Sequence, residues 1–114
     1  MRKDIKIPKV EGVSVAVVEE VGDDGSRLYN VYIINQRDER LEKVLVTSKG
    51  YATVKKTGEK IKTSTLRKSL GEIDPHSAQK IEPIMKDLFG LNNEYWVSFW
   101  IDNKMYDKKY IFLS

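Results

Sequence analysis

The stretch Tyr95-Trp96-Val97-Ser98-Phe99-Trp100-Ile101-Asp102-Asn103-Lys104-Met105-Tyr106, which runs on through Lys108, Lys109 and Tyr110 to Phe112, decides the fold. It holds seven of the chain's eleven aromatic residues. Two β-rich runs flank Asp102-Asn103, and Asp and Asn tolerate the positive φ that a two-residue type I′ turn requires. Such a turn pairs Ile101 with Lys104, Phe99 with Tyr106, Val97 with Lys108 and Tyr95 with Tyr110. Trp96 and Trp100 then share the opposite face with Met105 and Ile111. A loop one residue longer or shorter would set the tryptophans against the tyrosines instead. Aromatic side chains bury about 150–250 Å² each, and seven exposed on one hairpin would make a patch unusual for a soluble monomer. The hairpin is therefore expected in the core, and a partly exposed tryptophan would mark an interface.

Upstream, the pattern is that of further short strands. Val13, Val15 and Val17 alternate with Ala16 and Val18, which predicts a first strand that is apolar on both faces. Gly22-Asp23-Asp24-Gly25 is a turn with positive φ. In the next strand Tyr29, Val31 and Ile33 lie on one face, with Leu28, Tyr32 and Ile34 on the other. A polar corner, Asn35 to Arg40, leads to a third strand from Leu41 to Tyr51. A Lys- and Thr-rich hairpin is expected to turn near Thr57-Gly58, and lysine on one of its arms suits a sheet edge. The segment from Ser69 to Ser77, with Gly71 and Pro75, is expected to be irregular. Ser77 to Glu82 reads as a short strand. From Pro83 a helix of about two turns follows, near residues 83–89, with Gly90 just past its end. About seven short strands with regular turn signals predict an all-β fold, an antiparallel β-sandwich with an immunoglobulin-like strand arrangement.

With 114 residues there is room for one domain. The chain is 40% hydrophobic and 32% charged, too apolar for disorder. Without cysteine and with a single histidine, it offers neither a disulfide framework nor a paired-histidine zinc site, so no metal or cofactor is expected. No apolar run has the length of a signal peptide or a membrane span, and a cytoplasmic setting without membrane association is the expectation. The net charge of +3 hides an asymmetry. Eight Lys/Arg against Glu59 alone give +7 between Lys43 and Lys68, leaving −4 for the rest.

The segments Asn30 to Tyr51, Lys62 to Gly71 and Asn92 to Phe112 resemble a family of small bacterial proteins whose members sometimes bear the label of a phenylalanyl-tRNA synthetase alpha subunit. A class II synthetase holds ATP with an Arg-x-Glu motif, and Arg37-Asp38-Glu39 has that form, although Gln36 stands where an aromatic residue is expected. The glycine-rich third motif with its arginine is missing, and 114 residues cannot contain the catalytic domain. The resemblance supplies no functional residues.

Candidate sites are therefore surfaces. Lys55, Lys56, Lys60, Lys62, Arg67 and Lys68 could line a strip that neutralises phosphates, against the plainer reading of a solubilising edge. Only Tyr51 lies near them in sequence, whereas single-strand binders interleave rings with positive charge. Nucleic acid is thus the lesser expectation. Protein contact is the leading one, with a homodimer through an exposed strand as one form, and Tyr51, Trp96, Trp100 and Tyr106 as anchors, since Trp and Tyr are enriched at binding hot spots. For catalysis no nucleophile elbow, P-loop or dinucleotide glycine pattern occurs. His76 sits in an apparent surface turn, Asp23-Asp24-Gly25-Ser26 is too short for a calcium loop, and Glu94 is expected to face water. The chain is not expected to be an enzyme.

Overall fold

In a computed structural model, residues 11–53, 57–62, 65–84 and 91–113 are described. They form eight antiparallel strands: β1 (Val13–Val21), β2 (Arg27–Asn35), β3 (Leu41–Thr53), β4 (Lys60–Lys62), β5 (Leu66–Ile73), β6 (Ser77–Pro83), β7 (Asn92–Ile101) and β8 (Lys104–Phe112). One sheet has the order β1-β2-β6. The other runs β4-β3-β7-β8, with β5 also paired to β3. The two pack face to face as a β-sandwich.

The core follows from period-two alternation. Val13, Val15, Val31, Ile33 and Ile81 come from the three-stranded sheet; Val44, Val46, Tyr95, Val97 and Phe99 meet them from the other. The final hairpin adopts the expected register: Ile101 pairs with Lys104, Phe99 with Tyr106, Val97 with Lys108 and Tyr95 with Tyr110. Asp102 (φ 47°) and Asn103 (φ 67°) are both left-handed, as a type I′ turn requires. Gly25 (φ 83°) likewise closes the β1–β2 turn, where Asp24 accepts hydrogen bonds from the Ser26 amide and hydroxyl.

Two expectations are corrected. Residues 69–73 are not irregular but belong to β5, and only Asp74, Pro75 and His76 leave the ladder. Gly71 stands inside that strand at φ 70°, opposite a second irregularity at Lys43 (φ 51°). Each strand gains a residue there, so Leu41 and Val44 on β3, and Leu70 and Ile73 on β5, all stay buried although they are three apart. The aromatic hairpin is core on one face only: Tyr95 and Phe99 are buried, whereas Trp96 and Trp100 are 47% and 37% exposed. The strand expected to end at Glu82 is β6. Of the helix expected near 83–89, Pro83 ends β6, Ile84 follows it without regular structure, and residues 85–89 lie outside those described.

Polar ties join the sheets. The Tyr110 hydroxyl donates to the Val13 carbonyl at 2.6 Å. Tyr95 and Ser48 donate to Glu82 Oε1 at 2.9 and 3.3 Å. At the β2–β3 corner the fully buried Asn35 points its amide nitrogen at three carbonyl oxygens: Glu39 at 2.9 Å, Asp74 at 3.0 Å and Ile73 at 3.4 Å. Its Oδ1 accepts the Arg37 amide at 3.0 Å.

Candidate functional site

The outward face of the five-stranded sheet gathers side chains from segments far apart in sequence. Strand β3 lies between β5 and β7, so the basic segment is flanked by the tryptophan hairpin. Register sets the rows. Arg67, Thr47, Trp96 and Lys109 follow one another across β5, β3, β7 and β8, and Ser69, Leu45, Ser98 and Asp107 form the row beside them. Trp100 is flanked by Glu42 and Met105, and Glu94 by Lys49 and Ile111.

Leu45, Trp96, Trp100, Met105 and Ile111 are all exposed large apolar residues of this one face. Cations lie over its rings: Lys109 Nζ is 5.1 Å from the Trp96 centroid and Lys43 Nζ 5.8 Å from that of Trp100. The bulge at Lys43 puts Glu42 opposite Trp100, and the Lys43 ammonium still lies over the ring. Lys49 lies 5.9 Å from the Tyr51 ring. Glu94 is nearly buried rather than facing water as expected; its carboxylate lies 3.5 Å from Lys49 Nζ and 3.8 Å from Lys109 Nζ. One carboxylate thus sits between the two lysines that face Tyr51 and Trp96.

The expected anchors divide. Trp96, Trp100 and Tyr51 share the outward face. Tyr106 does not: it is half-buried on the core side, stacked on Phe99 with centroids 5.9 Å apart and planes at 18°. The phosphate-strip candidates divide too. Lys60, Lys62 and Arg67 are exposed. Lys68 is tied to the sandwich, donating to the Ile81 carbonyl at 2.7 Å. Lys55 and Lys56 lie outside the described residues. The reading of the segments one at a time missed Lys43, Lys49 and Lys109 as partners of the rings. The signal was the register, since Lys109 stands eight residues past the turn-facing Ile101 and pairs with Trp96.

Titratable groups elsewhere are structural. The Tyr32 hydroxyl and then the Asn30 amide hold the Glu20 carboxyl below its ordinary value. Burial pushes Tyr110 up to about 12 and raises Tyr95 still further, beside Glu82. His76 is exposed at the β5–β6 turn, with Nε2 2.6 Å from Asp38 Oδ1. Among the described residues no group of three His, Asp or Glu side chains could hold a metal ion, and no helix is long and apolar enough to cross a membrane.

A scan against models of known protein families finds no match to this chain. A search of curated proteins finds no relative either.

Proposed function

We propose that this chain is a non-catalytic binding module that works by protein contact through the outward face of the five-stranded sheet. The observation that carries the reading is the position of β3, with the Trp96–Trp100 strand on one side and the Arg67 strand on the other. An apolar centre inside a charged border is the anatomy of a protein interface. We further assign the sandwich to the immunoglobulin-like type, in a cytoplasmic setting. In support, β1-β2-β6 and β3-β7-β8 follow the A-B-E and C-F-G orders of that fold.

A photoreactive phenylalanine analogue at Ser98, between the tryptophans, is expected to crosslink a protein in extracts of the native cells. The same group at Ala78 on the opposite sheet should give no such adduct. Crosslinking from Ser98 that survives unchanged in Trp96→Ala/Trp100→Ala rules out the face.

A second reading, single-stranded nucleic acid, has one observation in its favour. The row Arg67–Thr47–Trp96–Lys109 sets a ring among cations, as such binders do. Retention on heparin that falls when Lys60 and Lys62 are changed to Gln would support it.

A further inference from the structure

We infer that the occupant of the outward face is an acidic, extended protein segment with apolar side chains between its carboxylates. This rests on the reading of that face as a protein-docking surface and names the partner's chemistry.

Charge comes first. Lys43, Lys49, Lys60, Lys62, Arg67 and Lys109 stand on or beside this face, against Glu42, Glu72, Glu94 and Asp107. Glu94 is already engaged by two of the lysines, 3.5 and 3.8 Å away. The border is therefore cationic, and a complementary partner brings carboxylates. A second copy of the chain is a poorer fit, because it brings the same net positive charge to a face that already carries it.

Size comes next. From β5 to β8 the face is about 14 Å wide, from three strand spacings, and Glu94 to Trp100 spans roughly 20 Å. That frame, roughly 300 Å² in plan, is a shallow strip with the dimensions of a strand or two. It accommodates one extended segment.

The apolar centre separates protein from nucleic acid. Leu45, Met105 and Ile111 offer aliphatic surface that bases do not seek, and Lys109 and Lys43 already lie over the two indoles. A stacking base would have to displace an ammonium. A carboxylate draws the same ammonium aside and leaves the ring to the neighbouring apolar side chain. The lysines thus cap the rings in the free protein and bind the partner's acids in the complex.

The only two tryptophans of the chain both lie on this face, so intrinsic fluorescence reports its occupancy. Three probes are titrated into the full chain: a short peptide alternating glutamate and leucine, the same peptide with lysine for each glutamate, and a short oligothymidine. The glutamate peptide is expected to shift tryptophan emission to the blue, with affinity that falls as salt rises. Lys43→Gln/Lys109→Gln, which touches no core residue, should weaken it roughly tenfold, as the loss of two exposed charge pairs allows. The inference is overturned by an equal response to the lysine peptide, by tighter binding of oligothymidine, by no response to any probe, or by undiminished affinity in the double variant. If Ser98 still crosslinks a protein while the glutamate peptide fails, only the partner's chemistry is wrong. Loss of both removes the docking surface itself.

Discussion

Replacing the amide nitrogen of Asn35 by oxygen, in Asn35→Asp, changes almost nothing in shape and reverses the chemistry of the β2–β3 corner. The nitrogen donates to the carbonyls of Glu39, Asp74 and Ile73 from a position with no exposure to water. A carboxylate there would face three acceptors. Full burial raises a carboxyl pKa by roughly 3 units or more, and each unit is worth about 1.4 kcal/mol. The charged form therefore costs about 4 kcal/mol at pH 7. Lost donor contacts add about 1 kcal/mol, giving a deficit of about 5 kcal/mol against a total stability of roughly 5–15 kcal/mol. The pH dependence has a definite sign. A carboxyl whose folded pKa lies above its unfolded value binds more protons in the native state, so the variant's stability falls as pH rises from about 4 toward the folded pKa. Near pH 4 the deficit should shrink to about 1.5 kcal/mol, because the protonated acid can donate once. Urea unfolding of the wild type and the variant at both pH values measures it. A deficit under about 1 kcal/mol at pH 7, or one that acid does not relieve, refutes the three-carbonyl cage.

Other outcomes follow from the same geometry. Asn103 (φ 67°) should accept glycine with a gain of a few tenths to about 1 kcal/mol, whereas Asn103→Val should cost about 1–2 kcal/mol. Matching urea midpoints for the two variants would contradict the left-handed turn. Tyr110, held at about 12, and Tyr95, higher still, lie above the ~10 of an unfolded tyrosine. Their stabilisation is complete below pH ~10 and is lost as pH climbs toward the folded values. Ultraviolet titration should show three of the six tyrosines ionising late, these two and Tyr32, which its hydrogen bond to Glu20 raises, with one fewer in Tyr110→Phe, and a single common step near pH 10 would count against the burial. Glu20 has the opposite sign: its lowered pKa contributes stability above the ordinary carboxyl value that disappears as pH falls through the folded one. Unfolding midpoints at pH 3 and 7 should differ less in Glu20→Gln than in the wild type, and an unchanged difference would assign the acid sensitivity elsewhere.

The elements legible in the sequence were those whose geometry is local. Asp102-Asn103 sets the hairpin register by turn type alone, and alternation along β1 and β2 sorted their side chains into two faces, though with apolar residues on both it did not say which turns inward. Gly71 was misread because a glycine four residues before Pro75 looks like punctuation. Here it supplies the positive φ of a bulge inside β5, and the need for it arises from Lys43 on another strand. The candidate site was the least legible part. Trp96 and the basic segment look separate along the chain, and nothing local says that β3 will separate β5 from β7. Glu94 looked solvated for the same reason, since Lys49 and Lys109 reach it from two neighbouring strands. Tyr106 was grouped with the tryptophans as an anchor by residue type, although the same hairpin register already set it opposite Phe99, on the other side from them.

Strand β3 changes partner along its length, holding β5 from Leu41 to Ser48 and β4 from Tyr51 to Thr53. The three residues of β4 are all exposed, and a side chain added at Gly58, just before them, would meet nothing within 4 Å. That makes the β4 arm a graft point: a peptide tag or dye inserted at Gly58 should leave the fold intact, because exposed loop tips tolerate insertion. Gly58 is four residues from Lys62, the partner of Tyr51, roughly 13 Å at strand spacing, so a label there can sense what arrives without standing in its way.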